Sequence, residues 1–181
     1  MDLAPTRALV IGGTGMLLPF SRGLAAAGAS VVLPSRHPER LKPTTGLIGV
    51  ETSWHDPDMY AHRCRSALGG TVDLLVMWCH SPWRRAVADA VTPLLTRETV
   101  IVEVLGSSGI VSSDAVRATA AFDDSILCIL GRHPEGRWLT HREISDGVGR
   151  RPAGVPMWSS VPSAEAHPGP ATPPCGDATA A

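Results

Sequence analysis

The chain has 181 residues, 16 of them basic and 17 acidic, for a net charge of −1. That length suits one domain plus a tail and lets an apolar core form without a metal or disulfide staple. The near-zero charge argues against a nucleic-acid partner, whose footprint is a basic excess, and no run of about 18 apolar residues is present to span a membrane.

Strand-like and helix-like segments alternate for the first 130 residues. Ala8-Leu9-Val10-Ile11 is a short apolar run stopped by glycines, a buried strand. Leu17 to Ala27 is helix-compatible, with Pro19 in the first turn and Gly28 just past the end. Ser30-Val31-Val32-Leu33 is the second strand and Ile48-Gly49-Val50-Glu51 a weaker third. Asp58 to Leu68 reads as a helix closed by Gly69-Gly70. Asp73 to Cys79 holds the most apolar strand, followed by a helix from about Trp83 to Leu95 that Pro93 would kink near its end. Val100 to Leu105 is a fifth strand, Ser113 to Ala121 a further helix, and Ile126 to Leu130 a sixth strand. Near-continuous apolar strands separated by helices predict a parallel sheet of about six strands covered on both faces, a doubly wound α/β/α sandwich. Thr140-His141-Arg142-Glu143 is a capping box that opens a short helix through Ile144 to Val148. From Arg151 onward the chain is rich in Pro, Ala, Ser and Gly, a composition that predicts a disordered tail. The expected division is therefore a nucleotide-binding domain over 1–150 and a tail over 151–181.

Gly12, Gly13 and Gly15 follow the first strand and precede the first helix. Glycines there let backbone N–H groups approach a diphosphate, and the helix N-terminus adds partial positive charge. The segment Gly12-Gly13-Thr14-Gly15-Met16-Leu17 is the expected dinucleotide loop of a Rossmann-like fold. The spacing departs from the usual one, because Leu18 occupies the position of a third glycine that favours close helix–strand packing. The end of the second strand reads Pro34-Ser35-Arg36-His37. Without an acid to bond a ribose 2′-hydroxyl, and with Ser35 and Arg36 able to donate to a 2′-phosphate, the preferred cofactor is NADP(H) rather than NAD(H). Asp56, after the third strand, either bonds the adenine amino group or starts a helix.

The segment Ala8 to Leu17 resembles the opening of short-chain dehydrogenase/reductase proteins, notably their extended and atypical branches. Together with Leu105-Gly106-Ser107-Ser108 and Trp138 to Ser145 it is similar to a group of short bacterial proteins of that family, over about residues 7–149. The resemblance puts Trp78-Cys79-His80-Ser81 where the family has an Asn-Ala-Gly segment after the fourth strand, and Ser107 and Ser108 where it carries the catalytic serine after the fifth. It also implies a soluble, small-molecule reductase. The family's proton relay, a tyrosine with a lysine four residues on, is absent. The only tyrosine is Tyr60, residue 64 is cysteine, and the only lysine is Lys42.

The remaining candidates for handling a proton follow the sheet's later strands: His80 after the fourth and His133 after the sixth. His80 is read either as a general acid or as a cap on the Ser81-Pro82 turn, and Ser107 and Ser108 either as substrate ligands or as a polar turn. No Cys or His spacing suits a metal. Cys79 and Cys128 lie in apolar runs, and no signal segment precedes the first strand, which predicts a cytoplasmic protein. Dimerisation through the helix Arg84 to Leu95 is a possibility. The leading expectation is an NADP(H)-dependent oxidoreductase on a small carbonyl or imine. The alternatives are a non-catalytic NADP(H) sensor and a non-redox isomerase or cyclase.

Overall fold

The computed structural model describes residues 6–106 and 117–149. Six strands form one sheet: β1 (Arg7–Ile11), β2 (Ser30–Ser35), β3 (Leu47–Glu51), β4 (Leu74–Met77), β5 (Val100–Gly106) and β6 (Ile126–Leu130). Every pairing is parallel, and the spatial order is β3-β2-β1-β4-β5-β6. The chain thus starts in the middle of the sheet, winds outward to β3, then returns past β1 to build β4, β5 and β6. The reversal between β1 and β4 opens a crevice at the carboxyl edge, where doubly wound sheets take their ligands.

The alternation of side chains along each strand sorts the core into two layers. Ala8, Val10, Val31, Leu33, Leu74, Val76, Val102 and Val104 face α1 (Leu18–Ala26) and α4 (His141–Gly149). Leu9, Ile11, Val32, Leu75 and Met77 face α2 (Pro57–Leu68) and α3 (Ser81–Val91). The central strands are buried on both faces, which is why they read as unbroken apolar runs rather than alternating ones.

Several boundaries move by physical cause. Gly28 adopts φ +93° just after α1, as a residue ending a helix must. Gly69 closes α2 in the left-handed region at φ +63°. α3 begins at Ser81, earlier than its apolar pattern suggests, because Pro82 is tolerated in a first turn. It also ends at Val91 rather than Leu95. Pro93 lacks the N–H that would continue the helix, and Thr92–Leu94 tightens into a 3-10 turn. β4 is shorter than the run Asp73 to Cys79. Asp73, just before it, still bonds Arg7 O and Val100 N through its backbone, and its carboxylate accepts the Arg7 amide at 2.7 Å. Of the helix expected over 113–121, residues 117–119 are helical and 113–116 lie outside the described residues, as do Ser107, Ser108 and the whole tail from residue 150.

The capping box forms as its sequence requires. Thr140 Oγ1 accepts the Glu143 amide at 3.2 Å, and Glu143 accepts the Thr140 amide at 2.8 Å. Arg137 adds a two-pronged contact to the same carboxylate at 2.8 and 2.9 Å. These donors hold the Glu143 carboxyl well below the usual carboxylate range, the Arg137 guanidinium contributing most.

Candidate functional site

The glycine loop is a chain of three tight turns. Gly13 N bonds Val10 O at 3.2 Å, Gly15 N bonds Gly12 O at 3.5 Å, and Leu18 N bonds Gly15 O at 3.0 Å. The amides of Thr14 and Met16 have no acceptor in hydrogen-bond geometry among the described residues. They are free donors beside the amino end of α1, where a diphosphate would be favoured.

The three glycines are required for different reasons. Gly12 has φ +76°, and a Cβ there would stand 2.6 Å from the Trp78 carbonyl oxygen. A Cβ on Gly13 would lie 2.6 Å from the Leu33 side chain and 2.8 Å from Val10 O. Gly13 therefore supplies the close loop–strand approach that Leu18 no longer provides. Gly15 is exposed, and its nearest neighbour to a Cβ is Gly12 O at 4.0 Å, ordinary contact. Nothing in the folded chain demands glycine at this position. A ligand pressed against the backbone would.

Gly12, Thr14, Gly15, Met16 and Leu18 form one wall of a cleft of about 630 Å³. Ser35, Arg36, His37 and Arg40 form the next wall, at the end of β2. Arg36 is exposed and has no acidic partner among the described residues. Ser35 Oγ accepts the His37 amide at 3.1 Å, which leaves its hydroxyl hydrogen available. Glu39, the one acid of the segment, is turned to His37 at 3.2 Å and Arg40 at 4.0 Å.

Thr52, Ser53, Trp54, His55 and Tyr60 supply the β3 side of the cleft, and Trp78, His80 and Trp83 the β4 side. The two sides touch through rings. Trp54 meets His80 edge-on at 5.6 Å, and His55 meets Trp83 at 4.3 Å. Thr52 Oγ1 and the Tyr60 hydroxyl are buried without a hydrogen-bond partner among the described residues. Burial pushes the Tyr60 pKa well above its ordinary value. The neighbouring Cys64 raises it further, and the Trp54 side chain only partly counteracts this without reaching hydrogen-bond geometry.

The expected site residues separate. Gly12, Thr14, Gly15, Met16, Ser35, Arg36, Trp78 and His80 meet around the cleft. His80 occupies the N-cap position of α3, yet its side chain makes no cap bond, so the imidazole is left to the cleft. Leu17 is fully buried in the core, and Cys79 is buried behind the wall with its carbonyl held by Arg84 at 2.9 and 3.2 Å. Asp56 caps α2, its Oδ1 accepting the Met59 amide at 3.1 Å, and it lines a smaller pocket beside Arg36 rather than the main cleft. His133 also stays away from the cleft. Its Nδ1 accepts the Glu135 amide at 3.3 Å within the turn joining β6 to α4. Ser107 and Ser108 lie outside the described residues. Among the described residues no group of three or more His, Cys, Asp or Glu side chains is placed to hold a metal. No helix among the described residues is long and apolar enough to cross a membrane.

Two functional positions escape a reading of the sequence. Ser145, on α4, is 3% exposed and donates its hydroxyl to Met16 O at 2.8 Å. The last described helix thus pins the glycine loop from 129 residues away. Glu103, in the middle of β5, is fully buried. It accepts the Ala121 amide at 2.9 Å, the Phe122 amide at 3.0 Å and the Ser125 hydroxyl at 2.7 Å, and so anchors the crossover into β6. A charge inside the run Val100 to Leu105 is a visible signal, because such a side chain is tolerated only with partners.

No family model matches the chain, and no curated protein matches it. Solved structures do. The NADP active-site complex of RhlG from Pseudomonas aeruginosa superposes with a TM-score of 0.57 at 19% identity, over 80% of this chain and 87% of that one. Glucose dehydrogenase of Caenorhabditis elegans in its apo form gives 0.57 at 17% identity, over 81% and 88%. A metagenomic short-chain oxidoreductase in complex with NADP gives 0.54 at 14% identity, over 80% and 89%. What this chain shares with them is architecture, a parallel Rossmann-like α/β fold.

Proposed function

We propose that the protein binds NADP(H) in this cleft and acts as an oxidoreductase on a small carbonyl or imine. One observation carries the reading. Free loop amides, a glycine with open space beside it, and a guanidinium at the end of β2 with no acidic partner among the described residues all open onto a single cleft. The residues present fit the cofactor. The Thr14 and Met16 amides would hold the diphosphate, and Arg36 with the Ser35 hydroxyl would hold the 2′-phosphate. Bound there, the nicotinamide supplies hydride chemistry, and the protein has only to orient it and handle the proton. Of the cleft histidines His37, His55 and His80, the one assigned that task is His80, which follows β4 beside Trp78. Tyr60 is not suited to it, since its hydroxyl is buried and held neutral.

The same observation supports a second reading, a non-catalytic NADP(H)-binding protein, because the family's Tyr–Lys pair is missing from the sequence. Binding of NADPH followed by consumption assays over aldehydes, ketones and cyclic imines separates the two. An oxidoreductase binds and turns over, and His80→Ala then slows turnover while binding persists. Binding with no turnover on any of these substrates selects the second reading, and no binding of NADPH removes both.

A further inference from the structure

We propose that the Trp78 indole is the platform on which the nicotinamide-bearing half of the dinucleotide rests; this depends on the NADP(H) reading above. The indole's position is given by the two glycines beside it. A Cβ on Gly12 would lie 3.0 Å from Trp78 Cδ1, and a Cβ on Gly106 would lie 3.7 Å from Trp78 Cη2. Gly12 follows β1 and Gly106 ends β5, with β4 between them in the sheet. The ring therefore runs along the carboxyl edge from β1, over β4, to β5.

That line is the boundary between the two mononucleotide halves of a doubly wound sheet, which a dinucleotide must cross. Phosphate-binding groups of the cleft all lie on the β1–β2 side of it. Trp78 lines the same cleft and is half-buried, with the Trp78 and His80 ring centroids 6.0 Å apart. A flat apolar surface at this crossing, flanked by two positions without side chains, has the shape to take a planar heteroaromatic ring by stacking. The absence of a Cβ at Gly12 keeps the indole down against the strand ends, and Gly106 lies beside its far edge.

Two ligands isolate this claim. NADPH spans both halves, whereas adenosine 2′,5′-bisphosphate reaches only the first. Calorimetric titration of both against the wild type, Trp78→Phe and Trp78→Leu gives the test. Trp78→Leu removes the π face, and should weaken NADPH by roughly ten- to hundredfold, the range of one lost stacking contact. The bisphosphate should bind that variant as it binds the wild type, and Trp78→Phe should keep most of the NADPH affinity. Should the Leu variant not fold, Trp78→Met makes the same comparison. Equal weakening of both ligands would mean that the indole only props the glycine loop, and the proposal falls. Unchanged or tighter NADPH binding overturns it as well. A wild type that binds the bisphosphate but not NADPH removes the platform and leaves the phosphate site standing. Binding of neither removes the underlying reading too.

Discussion

The two halves of the sheet are built on the same β–α–β plan and do opposite things with it. In the half made of β1, β2 and β3, the carboxyl edge is left open. Backbone amides go without acceptors, Gly15 has empty space beside it, and Arg36 has no acidic partner among the described residues. In the half made of β4, β5 and β6, polar groups are consumed internally. Glu103 is spent on the residues before β6, Arg84 on the Cys79 carbonyl, and His133 on its own turn. The first half keeps unsatisfied donors, at some cost in stability, as sites built for ligands do. Among the described residues the second half satisfies most of its own, with His80 the exception. Open donors and internal support are thus largely separated along the switch point between β1 and β4, where Trp78 and His80 line the cleft.

The largest test of that division is in the supporting half. Glu103→Ala should cost about 3–5 kcal/mol, since it leaves two backbone N–H groups and a hydroxyl unpaired around a cavity. Chemical denaturation measures it, and a loss below about 1 kcal/mol would mean that water replaces the carboxylate. Raising the pH attacks both halves. Burial pushes the thiols of Cys64 to about 12 and of Cys79 and Cys128 to about 11, and it raises Tyr60 as well. Groups held neutral in this way contribute their full stability below the unfolded thiol value of about 8.5. That contribution is lost as pH rises from there toward 11 to 12. Melting temperature should therefore fall across that alkaline window, and a triple Cys→Ala variant should show a weaker fall.

In the binding half the sign of the effect changes. Gly15→Asp should leave the melting temperature almost unmoved while weakening NADPH by about a hundredfold or more, because a carboxylate replaces the space next to the loop amides. The same carboxylate destabilising the fold as strongly as Gly13→Val would erase the distinction between the two glycines. Ser145→Ala should cost about 1 kcal/mol of stability, one ordinary hydrogen bond, and weaken NADPH severalfold by loosening Met16. Unaltered affinity would show that α4 supports the fold alone. Smallest of all, Tyr60→Phe should be neutral or stabilise by up to about 1 kcal/mol, because the hydroxyl it removes has no partner among the described residues. A clear destabilisation would reveal a hydrogen bond to that oxygen.

The amino-acid sequence by itself determined what depends on near neighbours. The apolar strands, the glycines at the first turn, the ends of the helices at Gly28 and Gly69, and the Thr140–Glu143 box are set by residues within a few positions of one another, so their physics is complete in a short window. Asp56 shows the limit of such a window, because helix capping and base contact demand the same residue type at the same place. The fold shows the cap it makes to Met59. It also shows what no short window could, that Ser145 reaches Met16, that Glu103 holds residues 121–125, and that Trp78 lies between Gly12 and Gly106. Each of these contacts exists because the strand order β3-β2-β1-β4-β5-β6 brings distant segments to one edge, and that order arises from packing the whole sheet between two helical layers, not from any local run of residues.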